Sequence, residues 1–244
     1  MQVEIWSDVA CPWCAVGKRR FETALRGFAH ADDVQLRWRS FELDPSAPRV
    51  SVDPDGGDYA TRLAAKYGTD TAAAQGMIDS MTDTAAEDGW AFRFDRIRPG
   101  NTFDAHRLLH LAADRDLQDH VKERFLAGYL EAGEPIGEPA ALRRLAVEAG
   151  LDAAEVADVL AGDRYAHAVR DDEREARTLG ISGVPFFVID RRFGVSGAQP
   201  AAMLLQALEQ AWAQHAELEV VGASHGHAHG AGADDACADG ACAL

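Results

Sequence analysis

Two cysteines separated by a proline and a tryptophan, Cys11-Pro12-Trp13-Cys14, constrain this 244-residue chain more than any other feature. They fall where one periodicity gives way to another. Val3 and Ile5 alternate with Gln2 and Glu4, and Trp6 continues the apolar run, as in a short strand entering a core. From 11 to 28 the spacing turns helical, with Cys14, Gly17, Phe21, Leu25 and Phe28 recurring every three or four residues. Pro12 suits the first turn of that helix, where its missing N–H costs no hydrogen bond. Val34, Leu36 and Trp38 then alternate with Gln35, Arg37 and Arg39, which predicts a second strand. The chain therefore opens β-α-β, with the cysteine pair at the strand-to-helix turn.

Residues 44–58 read as a loop, punctuated by Pro45, Pro48, Pro54, Gly56 and Gly57. From about 59 to 180 the texture is almost wholly helical, rich in Ala, Leu, Glu and Arg. Within it, 138–162 predicts a short helical hairpin, and the acidic stretch 170–177 is expected to be a solvated face with i,i+4 pairs. After Gly180, Gly183-Val-Pro-Phe-Phe-Val-Ile-Asp190 is strand-like and Phe193 to Ser196 offers another short strand. Pro200 opens a last helix whose apolar face carries Leu204, Ala207, Leu208, Ala211 and Trp212. Trp6 is expected in the core. Beyond Gly222 the composition becomes Ala, Gly, His and Asp, which cannot bury much apolar surface and predicts disorder.

Thiolate, not thiol, is the nucleophile in disulfide exchange, so a redox cysteine needs a lowered pKa. A helix N-terminus supplies unpaired N–H groups and roughly half a positive charge, and Cys11 lies at that position. Cys14, one turn further on and facing the same way as Phe21 and Leu25, is expected to be more buried. Cys11 is thus the expected attacking thiol and Cys14 the resolving one. A C-x-x-C beside a βαβ-type pattern is a thioredoxin-like redox signal. A zinc half-site would need a second ligand pair, and the chain's other two cysteines, Cys237 and Cys242, stand at its far end. Val184-Pro185, at the head of a strand, is a candidate cis peptide, although a trans edge-strand proline fits the dipeptide equally.

The formal charge of −16 argues against binding the nucleic-acid backbone or an anionic membrane surface. The start, Met-Gln-Val-Glu-Ile-Trp, does not read as a secretory signal, and no apolar run reaches membrane-spanning length. A cytoplasmic location is expected, where close cysteine pairs are more often catalytic, sensing or metal-binding than structural.

Ser7-Asp-Val-Ala-Cys-Pro-Trp-Cys-Ala-Val-Gly-Lys18, Phe41-Glu-Leu-Asp-Pro45, Asn101-Thr-Phe-Asp-Ala-His-Arg107, Gly183-Val-Pro-Phe-Phe187 and Ser196-Gly-Ala-Gln-Pro200 resemble the FrnE-like branch of the DsbA family, in the same order and over residues 2–215. The resemblance implies an α/β chain: a thioredoxin fold with a large inserted all-helical domain, active as a thiol–disulfide oxidoreductase or isomerase. The expected parts are 1–55 (β-α-β), 56–180 (helical insertion), 181–217 (β-β-α) and a 218–244 tail. Carried over, Cys11 matches the nucleophile, Cys14 the resolving cysteine and Pro185 the cis-proline that packs on the dithiol. The backbone beside it, at Val184, is left free to pair with a bound peptide. The related 2-hydroxychromene-2-carboxylate isomerases and kappa-class glutathione transferases carry serine where this chain has Cys11, which favours dithiol chemistry here. DsbA itself has histidine where this chain has Trp13. The Cys11 pKa is therefore expected below that of a free thiol but above the DsbA extreme.

Trp13 is expected to form exposed apolar surface that touches substrate, and His106 to line the cleft facing the dithiol. Glu42, ending the second strand, is a candidate proton relay for Cys14. In the tail, His225, His227 and His229 precede Cys237-Ala-Asp-Gly-Ala-Cys242. Three readings stand there: an auxiliary dithiol that shuttles electrons to Cys11/Cys14, a soft-metal site for zinc, nickel or copper, or an inert tail. Some FrnE-like proteins carry a comparable distal C-x4-C, which adds to the first. No metal, nucleotide or flavin motif is present in the body of the chain, so no cofactor is expected. The expected partners are disulfide-containing proteins or small thiols and a cellular dithiol reductant or oxidant. The rival readings are a glutathione-dependent isomerase of a small aromatic or polyketide substrate, and a metal-binding, redox-regulated protein.

Overall fold

The computed structural model describes residues 1–49 and 59–214. The tail residues His225, His227, His229, Cys237 and Cys242, and the loop stretch 50–58, lie outside the described residues. The chain runs β1 (Gln2–Ser7), α1 (Pro12–Gly27) and β2 (Gln35–Ser40). The helices α2 (Tyr59–Tyr67), α3 (Thr71–Glu87), α4 (Phe103–Ala113), α5 (Gln118–Leu130), α6 (Pro139–Glu148), α7 (Ala153–Ala161) and α8 (Ala166–Thr178) follow. It closes with β3 (Phe186–Ile189), β4 (Phe193–Ser196) and α9 (Ala201–Ala213).

The four strands form one mixed sheet in the order β2-β1-β3-β4. β1 is parallel to β2 and antiparallel to β3, with Ile5 opposite both Trp38 and Phe187. Side chains alternate across a strand, and β1 uses both faces. Val3 and Ile5 pack under α1 and α9 with Phe21, Phe28, Phe187, Leu204 and Leu208. Trp6 points to the opposite face with Ala176, Ile181 and Val188. A central strand covered on both sides is largely buried, and so even Glu4, which alternates with Val3 and Ile5, is 1% exposed. Its charge is met by Arg39 and Arg191.

The same geometry corrects the reading of 170–177. α8 packs on the second face of the sheet, and its Asp172 and Glu173 are buried rather than solvated. Asp172 accepts hydrogen bonds from the Ser40 N–H (2.9 Å) and from Arg39 (2.7 Å). On β2, an edge strand, the Trp38 N–H donates to Gln118 Oε1 and the Trp38 carbonyl accepts from Gln118 Nε2, both at 2.9 Å. These side chains blunt an edge that would otherwise offer free backbone groups.

The helices between β2 and β3 share an apolar core that includes Leu108, Phe125, Leu130, Leu145 and Val156. Val9, Ala15 and Val16, flanking the two cysteines, belong to that same core. The Trp90 indole N–H donates to the Ala15 carbonyl at 3.0 Å, and the buried Lys18 pairs with Asp119 and Glu123 of α5. The first turns of α1 are thus held by the sheet on one side and by the helical core on the other.

Candidate active site

Cys11 is the N-cap of α1, in extended conformation (φ −100°, ψ 113°), and Pro12 starts the helix. The Cys11 carbonyl accepts from the N–H groups of Cys14 (3.1 Å) and Ala15 (3.3 Å), so the two side chains sit one turn apart. Both thiols are free. Cys11 is 4% exposed and Cys14 fully buried.

The Val184–Pro185 peptide is cis. A Cβ on Gly17 would lie 2.8 Å from Pro185 Cγ, so glycine on this face of α1 is what lets the helix and the proline loop touch. The Gly197 N–H, at a positive φ of 80° favourable to glycine, donates to the Pro185 carbonyl at 2.8 Å. The loop turns the Val184 carbonyl toward the dithiol, where it accepts from the Cys11 thiol at 3.7 Å.

Cys11 opens onto a mainly apolar cleft of about 290 Å³, lined by Trp13, Leu43, Tyr59, Tyr67, Met77 and Val184. Trp13 is 47% exposed at its rim. Lys66 is the lone charged side chain on its wall among the described residues. His106 does not line this cleft. It is 1% exposed and lies behind the dithiol, with Nε2 at 3.4 Å from Asp8 Oδ1. The reason is its place on α4, whose face carrying Ala105, Leu108 and Leu109 is sunk in the helical core.

The titration of the pair differs from a single lowered Cys11. The hydrogen bond with Cys14 is the largest influence raising the Cys11 pKa, and burial and the Cys14 charge add to it. Burial opposes a charge on Cys14, but the Cys11 thiol, the Lys122 ammonium, the Ser7 hydroxyl and the Asp8 N–H overcome it and bring its pKa down. The two sulfurs therefore behave as one unit that releases its first proton readily and holds its second. A helix N-terminus read from sequence addresses Cys11 alone; the shared proton arises because both sulfurs are buried together.

Two residues of this neighbourhood escape the sequence reading. Asp8, 1% exposed, accepts from the Leu43 N–H (2.8 Å) and the Ala10 N–H (3.4 Å). Burial opposes its charge, yet His106, the Leu43 N–H and Lys122 hold its pKa below the ordinary carboxylate value. Lys122 of α5 is fully buried, and its Nζ has no hydrogen-bond partner. Burial brings its pKa down to about 8, against the pull of Cys14, Asp8 and Cys11. Its signal in the sequence is a lysine on an apolar helix face, at helical spacing from Phe125, Leu126 and Tyr129.

Glu42 touches neither cysteine. Its carboxylate is buried, paired with Arg170, and accepts from Asn101 Nδ2 at 3.3 Å. Burial and a hydrogen bond shared with Glu173 raise its pKa in spite of Arg170. Among the described residues no group of three or more His, Cys, Asp or Glu side chains is placed to hold a metal ion. No helix among them is long and apolar enough to cross a membrane.

A family model described as a DSBA-like thioredoxin domain matches residues 2–209. The crystal structure of a probable DsbA oxidoreductase from Streptomyces coelicolor is 48% identical, with a TM-score of 0.84 over 91% of this chain and 94% of that one. The uncharacterized protein YwbO of Bacillus subtilis is 28% identical over 191 residues, 78% of this chain and 86% of that protein. The cytosolic disulfide reductase DsbM from Pseudomonas aeruginosa, solved with GSH, is 18% identical with a TM-score of 0.60 over 87% of this chain and 100% of that one, a likeness of fold alone.

Proposed function

Because this chain belongs to the DsbA-like thioredoxin domain family, with its thioredoxin fold and helical insertion, we propose that it is a thiol–disulfide oxidoreductase working through Cys11 and Cys14. The observation that carries this reading is the asymmetry of the reduced pair: Cys11 reaches the cleft beneath the Val184 carbonyl, while Cys14 lies fully buried behind it. Only Cys11 meets a substrate. The shared proton passes to Cys14 as the Cys11 thiolate attacks one sulfur of a substrate disulfide. The substrate S–S bond breaks, one thiolate leaves, and a mixed disulfide with Cys11 remains. Attack by Cys14 on Cys11 Sγ then releases the second substrate thiolate and leaves the enzyme oxidised. Attack by a substrate thiol instead gives isomerisation. Trp13 and the other apolar cleft residues hold the segment around the substrate cysteine, and the Val184 backbone pairs with it. Substrates are disulfide-bearing proteins or small disulfides, and the site of action is the cytoplasm.

The test is a pair of serine variants. Cys11→Ser is expected to bring disulfide reduction and isomerisation to background. Cys14→Ser is expected to accumulate a mixed disulfide with substrate, visible by mass. Retention of both activities in Cys11→Ser would overturn the assignment.

A further inference from the structure

The cleft in front of Cys11 is built from two parts of the chain. Trp13, Leu43 and Val184 come from the side of the sheet, and α2 and α3 of the helical insertion supply the facing wall. On α2, Tyr59, Leu63, Lys66 and Tyr67 recur at helical spacing and line the cleft, while Ala60 and Ala64 are buried in the helical core. Among the described residues seven large apolar side chains are exposed, and four of them, Trp13, Leu43, Tyr67 and Met77, ring this cleft. Scattered apolar residues on a surface need no explanation, but a contiguous set marks a place where a partner docks.

The charge around this apolar ring has a direction. Lys66, in the last turn of α2, is the cleft's one charged side chain among the described residues. Its Nζ lies 5.8 Å from the Tyr67 ring centroid, and no carboxylate among the described residues pairs with it. Tyr59 stands at the other end of α2, two turns away and about 10 Å along the helix axis. Past Tyr59, Ile78 and Phe94 a second hollow of about 460 Å³ carries Asp79 and Asp95, the latter paired with Arg93. A negative group on a substrate is therefore drawn to the Lys66 end of the cleft and turned away from the Tyr59 end. Beside an apolar wall an ammonium is less screened than in open water, which strengthens its hold on a carboxylate.

We propose that Lys66 sets the substrate preference of the dithiol: the cleft takes polypeptide segments whose reactive cysteine is flanked by a bulky apolar residue and a carboxylate. This rests on the dithiol reading above and narrows its substrates. The apolar side chain fills the cleft, and the carboxylate pairs with the Lys66 ammonium at its edge. Glutathione disulfide offers carboxylates but no bulky apolar side chain, and so fits half of the site. Lys66 decides which substrate is held and takes no part in the exchange of sulfurs.

The experiment uses the reduced full-length protein and short peptides, each with one cysteine carried as its 2-thiopyridyl disulfide. The Cys11 thiolate attacks the peptide sulfur and forms the mixed disulfide. The bond to the thiopyridyl sulfur breaks, and that sulfur leaves with the electron pair and takes a proton from water, giving the absorbing pyridine-2-thione. The peptides hold Phe on one side of the cysteine and Glu, Gln or Lys on the other, in both orders. In at least one order the Glu peptide is expected to half-saturate the protein at a concentration about fivefold below that of the Gln peptide, the upper end for a charge pair near a surface. The Lys peptide should be weaker still. The preference should be lost in Lys66→Met, kept in Lys66→Arg and turned toward the Lys peptide in Lys66→Glu, and it should shrink with added salt. It should appear in the half-saturation concentration and not in the rate at saturation. A lysine that only completes the helix dipole would leave the peptides undistinguished. The 2-thiopyridyl disulfide of glutathione is expected to bind at least about tenfold more weakly than the Phe–Glu peptide, for want of a ring to bury. Equal half-saturation by the Glu, Gln and Lys peptides in both orders overturns the proposal. So does a preference for Glu that survives in Lys66→Glu, or glutathione held as tightly as the Phe–Glu peptide. Failure of the underlying reading is distinguishable: Cys11→Ser would then still release the thione from every peptide.

Discussion

Helix α4 buries two histidines one turn apart, and their surroundings are opposite. His110 Nε2 lies 3.1 Å from Asp172 and 3.2 Å from the Ser40 hydroxyl. Asp172 in turn is met by the Ser40 N–H and by Arg39, which also pairs with Glu4. The Trp6 indole N–H donates to the Asp172 carbonyl at 3.0 Å. Beside the dithiol, by contrast, His106 Nε2 has only Asp8 at 3.4 Å, and Lys122 Nζ has no hydrogen-bond partner. Closely met charges in a low-dielectric interior hold elements in register, and the His110 cluster ties α8 to β1 and β2. Polar groups left unmet in such an interior cost stability. Beside the dithiol the Lys122 ammonium carries such a cost, where protons and charge must move. The two clusters divide the labour between shape and chemistry.

Breaking the His110 cluster should show the largest effect on stability. Arg39→Met leaves the buried carboxylates of Glu4 and Asp172 short of their main cation, and is expected to cost about 3 kcal/mol in denaturant unfolding. The rate at which Cys11 reacts, per folded molecule, should stay at the parental value. A loss of reactivity without loss of stability would erase the distinction between the clusters.

Lys122→Met tests the other side. Burying an unpaired ammonium is costly, so its removal should change stability at neutral pH by less than about 1 kcal/mol. The first thiol of the pair should titrate higher by thiolate absorbance, because the ammonium that favours the Cys14 thiolate is gone. The reduced form then loses stabilisation, and the reduction potential should fall by at least about 30 mV, a tenfold change in the exchange equilibrium. The sign of the pH effect follows from a pKa lowered from 10.5 to about 8. Between those values the unfolded chain binds more protons, so the parent gains stability as pH rises through that window. The variant should lack that gain.

The smallest effect is expected in acid. Asp172 has its pKa held below 3.8: burial opposes its charge, but the His110 hydrogen bond, the Ser40 N–H and Arg39 prevail. Its contribution is therefore full above pH 3.8 and lost as pH falls through the lowered value. Asp172→Asn should narrow its stability deficit against the parent as acid melts are carried below pH 3.8. A deficit that stays constant across that range would place the cluster's strength elsewhere.

Much of the framework was legible from sequence. The strand-to-helix switch at Cys11, the helical texture between the strands and the order of the elements follow from local periodicity. The burial of Trp6 was equally readable as an apolar residue at the end of a strand. The neighbourhood of the dithiol was legible only along α1 and at Pro185. Asp8 lies in the Ser7-to-Lys18 motif and Lys122 on an apolar helix face, with nothing local to join them. The stretch 170–177 reads as solvated charge, because an acidic helix is usually outside, yet Asp172 and Glu173 are buried. His106 looked like a cleft residue and is packed behind the dithiol.

By itself the sequence determined the pieces that depend on neighbours in the chain: repeat lengths, the helix start at Cys11, the one-turn spacing of the two sulfurs and the glycine at position 17. The tertiary structure decided which charges lose their water. Whether Glu4, Asp172, His106 or Lys122 is solvated depends on segments of the chain more than 30 residues away that come to cover it. Desolvation in turn sets how the two sulfurs share their proton. Local spacing put the dithiol at the head of a helix; long-range burial gave it an acid, a histidine and a lysine for company.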